Sequence, residues 1–530
     1  MIRTGSWNIQ TNKMKQKIPE QLLSRLSELI SEKLGLCYEK DRWHHLMHQI
    51  RLAATDIGYD DVELYIQRLL SVPLTKEDIS ILANHLTIGE TYFFRHKKMF
   101  EALENYILRD LIATRKGKEQ RLRIWVAGCA TGEEPYSVAI LIDTLIQNTK
   151  DWDITILATD INQNFLKKAA EGFYRKWSFR DTPEWVMKRY FKPAQKDYYA
   201  ISPHIKEMVV FSLLNLKEDA YPSILNNTNA MDIVFCRNVF IYFNDAFIRE
   251  IVRKFYRSLV ENGWLVVSPV EGLQCRDHNF RPVNYLGETF YKKETTAKHD
   301  SPVKINVKEI VSPLKKSGDC DVIFNETLRL RTFPGNEVVP ESRQDTANDE
   351  ADGVLEEVLY EKASKSFEQG LYNEATDTLL QLHSIMQDSG RDSDLKRDAV
   401  LYLLAKSYAN QGKIEDALEW CNNAIKIDKM QPNYYYLRAT ILHEQKNIDG
   451  AIASLRQVLY LDPNFILAHY ALGKFMQEQR KLNESYRFYE NTLLLLKNHT
   501  PEEVLPESDG ITAGRLKEII QTINGEISLK

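Results

Sequence analysis

No run of eighteen or more apolar residues occurs in this chain, so no helix is expected to span a membrane. No C-x-x-C pair occurs either. The six cysteines, Cys37, Cys129, Cys236, Cys275, Cys320 and Cys421, are scattered, which points to a reducing cytoplasm and away from a zinc site. Excess positive charge is missing too. The formal net charge is -5 over 530 residues, which argues against broad nucleic-acid binding. The opening stretch MIRTGSWNIQTNKMKQK is basic but is followed by no apolar core, so it does not read as a signal peptide. What remains is an ordinary soluble composition, with 43% hydrophobic and 27% charged residues, and a length that suits about three or four domains.

The chain is organised around RLRIWVAGCATGEEPYS, residues 121–137. Ile124 to Ala127 form the short apolar run of a buried parallel strand. Gly128 and Gly132 bracket a tight loop. Glu133, Glu134 and Pro135 suit the first turn of a helix, the acids at its positive end. Such a loop at the carboxyl end of a strand is where α/β sheets take nucleotide-like ligands.

Residues 18–85 read as a small helical domain, with Ile18, Leu22, Leu26, Leu29 and Ile30 at helical spacing and Val62, Tyr65, Ile66, Leu69 and Leu70 likewise. His44, His45, His48 and Arg51 read as a solvated helix face, because no acid or cysteine stands at a matching ligand spacing. From 86 to 293 the period changes. Strands are expected at 123–128, 154–160, 208–214, 231–238 and 263–269, and helices at 135–146, 164–171 and 246–259, which together predict a parallel, doubly wound sheet. Residues 290–293 suit a late antiparallel edge strand. Between 177 and 205 lies an insertion read as a helical turn and a small hairpin or loop. Residues 294–353 are polar and irregular and read as a linker.

The stretch 354–498 repeats. QGLYNEA (369–375), QGKIEDA (411–417), QKNIDGA (445–451) and QRKLNES (479–485) align, the last three at a period of 34, with Ala363, Ala405, Ala439 and Gly473 at the matching upstream position. The pattern, with Tyr408 and Pro463, resembles tetratricopeptide repeats: three clear ones and a diverged first one whose gap carries about eight extra residues. Such arrays expose a concave face to a protein partner, which the sequence leaves unidentified. Residues 499–530 read as a capping helix or tail, with a helix at 514–524.

The glycine loop fits neither the dinucleotide fingerprint nor the Walker loop, since Gly128-x-x-x-Gly132 runs into Glu133. Two glutamates there are hostile to polyphosphate and suit a ligand with positive charge or hydroxyls, such as S-adenosylmethionine. Asp160 ends the second strand, where an acid takes ribose hydroxyls; capping of the next helix is the alternative. Asn215 and Cys236-Arg237-Asn238 end further strands. The cluster Thr91-Tyr-Phe-Phe-Arg95 leaves open an aromatic core plug with a surface arginine.

ETYFFR (90–95), AGCATGEEPYS (127–137), ATDI (158–161) with EGFY (171–174), FSLLNL (211–216), FCRNVFIYF (235–243) and ENGWLVVSPVEGL (261–273) occur in this order. Over residues 18–292 the chain thereby resembles the chemoreceptor glutamate methyltransferases of bacterial chemotaxis, the CheR family. The resemblance implies an α/β doubly wound, Rossmann-like methyltransferase domain between an N-terminal all-α domain and a C-terminal all-α tetratricopeptide solenoid. It implies S-adenosyl-L-methionine as cofactor and methyl transfer to glutamate side chains of a methyl-accepting chemoreceptor's cytoplasmic domain. By motif, Thr91, Arg95, Glu134, Asp160, Asn215, Leu216, Arg237 and Asn238 would line the cofactor pocket. Asp160 would hold the ribose diol, Asn215 and Leu216 would flank the adenine, and Cys236 would lend backbone beside the methionine part. Arg95 and Tyr242 would adjoin the transferred methyl. Competing readings are an inactive scaffold acting through its repeats and a methyltransferase for another acceptor, such as a small molecule; a nicotinamide dehydrogenase fits least.

Three departures from the family pattern matter. Gly89 stands where many relatives have asparagine. The helix RWHHLMHQIRLAATD is less basic than the receptor-docking helix of relatives. The loop 192–202 is short, so no tether to a receptor's C-terminal pentapeptide is expected, and targeting falls to the repeats.

Overall fold

The computed structural model describes residues 18–294, apart from 218–220, 224–225 and 276–278, and residues 343–528, apart from 390–396 and 509. The basic N-terminal stretch and most of the expected linker lie outside the described residues.

Four helices, α1 (Glu20–Leu34), α2 (Trp43–Asp56), α3 (Val62–Ser71) and α4 (Lys76–Leu86), form the first unit. Asp61 caps α3, and Thr75 and Asp78 form a reciprocal capping box on α4, which satisfies N–H groups the helix cannot. The apolar faces meet in a core that includes Leu26, Ile30, Leu46, Ile50, Tyr65 and Leu82. Burying each such aliphatic side chain is worth about 1.5–3 kcal/mol. His44, His48 and Arg51 lie exposed on α2.

Helices α5 (Lys97–Ala102) and α6 (Arg109–Arg115) lead into the sheet. Its strands are β1 (Arg121–Ala127), β2 (Asp153–Asp160), β6 (Val209–Leu213), β7 (Met231–Phe235), β8 (Leu259–Val266), β9 (Phe280–Tyr285) and β10 (Glu288–Lys293), in the order β6-β2-β1-β7-β8-β10-β9. The first five are parallel and the last two antiparallel. Every β1 residue is buried: Leu122, Ile124 and Val126 face one core, and Trp125 and Ala127 face the other. The first core is covered by α7 (Glu133–Leu145) and α8 (Gln163–Glu171), the second by α11 (Asp245–Ser258). The doubly wound expectation therefore holds, with the strand order reversing at β1 and β7. One expectation is corrected: β10 is antiparallel but not the edge. Leu286 and Gly287 take positive φ, which lets the chain turn tightly and lay β9 outside it.

The insertion is a small antiparallel sheet, β3 (Phe173–Arg175), β5 (Tyr198–Ile201) and β4 (Phe191–Pro193), with α9 (Glu184–Tyr190) before its hairpin and α10 (Pro203–Glu207) after it. The expected hairpin is β4–β5; β3 was not legible. Phe93 plugs the junction with the main domain, with ring centroids 4.8–5.0 Å from Tyr174, Phe179 and Phe191.

Among the described residues the C-terminal region is four helix pairs: Arg343–Glu368 with Tyr372–Ser389, Arg397–Asn410 with Ile414–Ile427, Pro432–Glu444 with Ile448–Leu461, and Ile466–Glu478 with Leu482–Leu495. The first helix begins inside the stretch read as linker. Ala363, Ala405 and Ala439 are buried at the pair contacts. A Cβ on Gly473 would stand 2.6 Å from the Tyr489 ring, so only glycine fits. A last helix, Ala513–Ser528, packs on the array.

The turns of the array meet the N-terminal rim of the main sheet. Lys293 Nζ donates to Leu259 O at 2.9 Å and to Gly370 O at 3.1 Å. Arg121 donates to Glu444 at 2.6 Å, Asn229 to Glu444 at 3.3 Å, and Lys446 pairs with Asp153 at 2.6 Å.

Candidate active site

The opposite rim, at the carboxyl ends of the parallel strands, is roofed by the helical unit. Asn215 Nδ2 donates to Lys33 O at 2.9 Å, Asn162 Nδ2 donates to Thr87 Oγ1 at 2.8 Å, and the Cys37 N–H donates to Tyr242 O at 2.7 Å. The crevice beneath this roof lies at the β1/β7 switch point, where open α/β sheets bind ligands.

β1 ends in the glycine loop. Gly128 has φ +75, and a Cβ there would stand 2.4 Å from Val239 Cγ2; Gly132 has φ +92 and opens α7. Neither position suits another residue. Asp160, at the end of β2, is buried. Its carboxylate accepts from the Ala130 N–H at 2.8 Å and the Asn162 N–H at 2.9 Å. Burial raises its pKa against the pull of these backbone donors. Each oxygen keeps a lone pair for a further donor. The capping alternative for Asp160 is overturned: Asn162 caps α8, accepting from the Phe165 N–H at 3.0 Å.

Arg237, after β7, forms a buried ion pair with Glu134 of α7. It donates also to Arg95 O at 3.3 Å and to His96 Nδ1 at 2.8 Å. Its Nε is buried and has no hydrogen-bond partner among the described residues. Burial, and then the positive charge of Arg237 and Arg95, lower the His96 pKa, so the imidazole accepts as the neutral form. Phe94 and His96 carry positive φ, and the Phe94 N–H donates to Ser137 Oγ at 3.0 Å. The turn around Arg95 is thereby locked onto α7. Arg95 itself is half-buried, donating to Glu90 O at 2.8 Å and lying 5.8 Å from the Tyr92 ring.

Tyr242 is half-buried beneath the roof. Burial raises its pKa, opposed by the nearby charges of Arg42 and Arg95. The structure therefore brings Arg95, Glu134, Asp160, Arg237 and Tyr242 to one rim. Asn238, at φ 58, follows Arg237. Asn215 is committed at both ends of its amide, since the Lys217 N–H donates to its Oδ1 at 3.0 Å. Leu216 is buried in the second core. Thr91 is half-buried at the head of the Arg95 turn. The Cys236 N–H is consumed by Val266 O at 2.9 Å, so only its carbonyl remains to offer a ligand.

Glu271 was missed. Its buried carboxylate accepts from the N–H groups of Asn238, Val239 and Phe240, each at 2.8 Å, and from the N–H and hydroxyl of Ser268. It fixes the loop that carries Asn238. Nothing in the local run Val266 to Leu273, which also holds Ser268, marked it out. Glu133 was read as a helix-start acid and, with Glu134, as suited to a ligand with positive charge or hydroxyls; its role inside the protein was missed. It is buried and bonded to Thr131 at 2.7 Å and Ser178 at 3.0 Å, and burial raises its pKa.

The residues suit an S-adenosylmethionine-like ligand on three counts. Asp160 has free acceptor capacity, the Arg237–Glu134 pair matches a zwitterion, and Arg237 Nε wants an acceptor. Among the described residues no group of three or more His, Cys, Asp or Glu is arranged to hold a metal, and no helix is long and apolar enough to cross a membrane.

Residues 89–286 match the family described as CheR methyltransferase, SAM binding domain. Residues 368–458 match anaphase-promoting complex, cyclosome, subunit 3, and residues 439–479 match a TPR repeat. Chemotaxis protein methyltransferase 2 of Vibrio cholerae is 33% identical over 224 residues, 42% of this chain and 76% of that protein. The chemotaxis protein methyltransferase of Borreliella burgdorferi is 28% identical over 278 residues, 52% of this chain and 95% of that protein. Chemotaxis protein methyltransferase 1 of Pseudomonas aeruginosa is 34% identical over 216 residues, 40% of this chain and 76% of that protein.

Proposed function

The chain belongs to the CheR methyltransferase family, and from that premise we propose that it methylates glutamate side chains of a chemoreceptor-like protein in the cytoplasm, giving glutamate methyl esters. The observation that carries the reading is the convergence of Asp160, Glu134, Arg237 and Arg95 on one roofed crevice. S-adenosyl-L-methionine supplies an electrophilic methyl on its sulfonium.

Asp160 accepts two ribose hydroxyls through its free lone pairs. Glu134 and Arg237 hold the ammonium and carboxylate of the amino-acid end. Asn215 and Leu216 shape the adenine side, Thr91 and Asn238 complete the lining, and the rigid turn before Arg95 sets the depth of the pocket. A glutamate side chain, with a pKa of about 4.3, is already a nucleophile at neutral pH and needs no general base. What the enzyme supplies is orientation. Arg95 offers a planar fork of donors to the incoming carboxylate, and Tyr242 closes the other side. In this reading the repeats dock a protein partner and provide targeting, and no receptor pentapeptide is gripped by the β4–β5 hairpin.

The test is calorimetric titration of the whole protein with S-adenosylmethionine and S-adenosylhomocysteine, beside Asp160→Ala. Micromolar binding that the substitution abolishes is expected, followed by base-labile methyl esters on a receptor cytoplasmic domain. Binding without any ester would favour the inactive scaffold, and absence of binding would sink the pocket assignment.

A further inference from the structure

The sequence after the fourth repeat folds back onto the array. Val504 bridges Thr512, the Leu505 N–H donates to Ile511 O at 3.0 Å, and Ser508 Oγ donates to the same carbonyl at 3.0 Å. Leu505 and Ile511 are buried. The loop they close carries Glu507 with φ 57, a conformation that a residue with a Cβ adopts at a cost of about 1 kcal/mol.

Three donors from two repeats converge on that carboxylate. Tyr402 Oη donates to Glu507 Oε2 at 2.6 Å and Lys406 Nζ to the same oxygen at 3.3 Å, while Asn433 Nδ2 donates to Oε1 at 3.1 Å. Tyr402 and Lys406 lie one helical turn apart on Arg397–Asn410, and Asn433 starts the helix Pro432–Glu444. The set is one charged and two neutral donors shared over both oxygens, which is what a carboxylate requires. Parts of this set recur along the array. Tyr436 and Tyr470 stand one and two 34-residue periods after Tyr402, and Lys474 stands two periods after Lys406. Tyr436 and Tyr470 are buried. With those two tyrosines buried and Thr440 in place of lysine one period after Lys406, the carboxylate-binding set of this face is Tyr402, Lys406 and Asn433.

We infer that this face is a receptor for a peptide glutamate or aspartate, that residues 499–508 occupy it from within the same chain, and that an acidic segment of a partner protein binds by displacing them. The inference deepens the docking role proposed for the repeats and rests on it, but not on methyl transfer. An occupant tethered in this way competes at an effective concentration in the millimolar range, so it masks the face from weak ligands and yields to strong ones.

The probe is a fluorescein-labelled synthetic peptide of residues 499–512, titrated against the full chain by anisotropy. Glu507→Ala is expected to bind it at least tenfold tighter than the unaltered protein, and the double variant Glu507→Ala with Lys406→Met to lose that gain. The same peptide with glutamine in place of Glu507 alone should bind Glu507→Ala at least tenfold more weakly. Equal affinity for the unaltered protein and Glu507→Ala, or a gain indifferent to Lys406→Met or to the glutamine peptide, overturns the inference. A second measurement uses the unaltered protein alone. Saturating isotope-labelled peptide should raise hydrogen exchange in residues 499–508, and unchanged protection there overturns displacement. Neither readout involves the cofactor, so failure here and failure of the methyltransferase reading are separable.

Discussion

At the C-terminal rim of the sheet the Asp160 carboxylate is held by backbone N–H groups from its own domain, whereas at the N-terminal rim the Glu444 carboxylate is held between Arg121 and Arg123 of another domain. Both side chains are nearly out of solvent. Their ionisation moves in opposite directions. Burial raises Asp160, because dipoles alone compensate incompletely. Burial also pushes Glu444 up, but Arg123 and Arg121, with hydrogen bonds from Arg121 and Asn229, outweigh it and leave the carboxyl below its ordinary range. A carboxylate fully matched by arginines fastens two domains. One left under-matched, with lone pairs to spare, is ready for a ligand.

The comparison breaks most readily at Glu444. Glu444→Ala leaves Arg121 and Arg123 buried without their carboxylate, which should cost about 3–5 kcal/mol, read as a lower urea midpoint. Asp160→Ala should leave that midpoint unchanged or raise it while cofactor binding is lost. If both variants lose stability alike, the two rims do not differ in kind. Arg95→Ala should then separate binding from orientation: turnover is expected to fall on the order of 100-fold, with cofactor affinity within a fewfold of the unaltered protein. Loss of cofactor affinity in parallel would place Arg95 in binding instead.

The smallest effect is a pH dependence at the second interdomain contact. Lys293 is fully buried, and burial lowers its pKa to about 8, with Glu261 opposing. The unfolded chain, with lysine at about 10.4, binds more protons between these values. The cost of burying the charge is therefore carried in full below pH 8 and relieved as pH rises through 8 toward 10.5, so stability rises with pH in that window. The rise should amount to about 1–3 kcal/mol and be absent in Lys293→Met, compared by urea midpoints at pH 7.5 and 10. A flat profile in both proteins would mean that folded Lys293 keeps its proton up to pH 10, so that burial does not lower its pKa.

Much of this was legible in local patterns. The apolar run of β1, the glycines at 128 and 132 and the acid ending β2 announce a sheet with a ligand crevice, since strand burial and positive φ each demand particular residue types. The 34-residue spacing announced the helix pairs in the same way. Edge order was not legible, because β10 and β9 pair through a Leu286–Gly287 turn whose conformation the flanking composition does not reveal. Glu271 was hidden for a related reason: a lone acid near a strand end carries no sign that five donors converge on it.

By itself the sequence determined which family the chain belongs to, the doubly wound sheet, the repeats and the candidate cofactor-facing residues, because each rests on short-range spacing. Only the tertiary structure decided that Glu444 fastens the repeats to the rim opposite the crevice and that Glu507 fills the repeats' own carboxylate-binding face. Those contacts join residues hundreds or about a hundred positions apart, and no local period encodes which buried charge will find which partner.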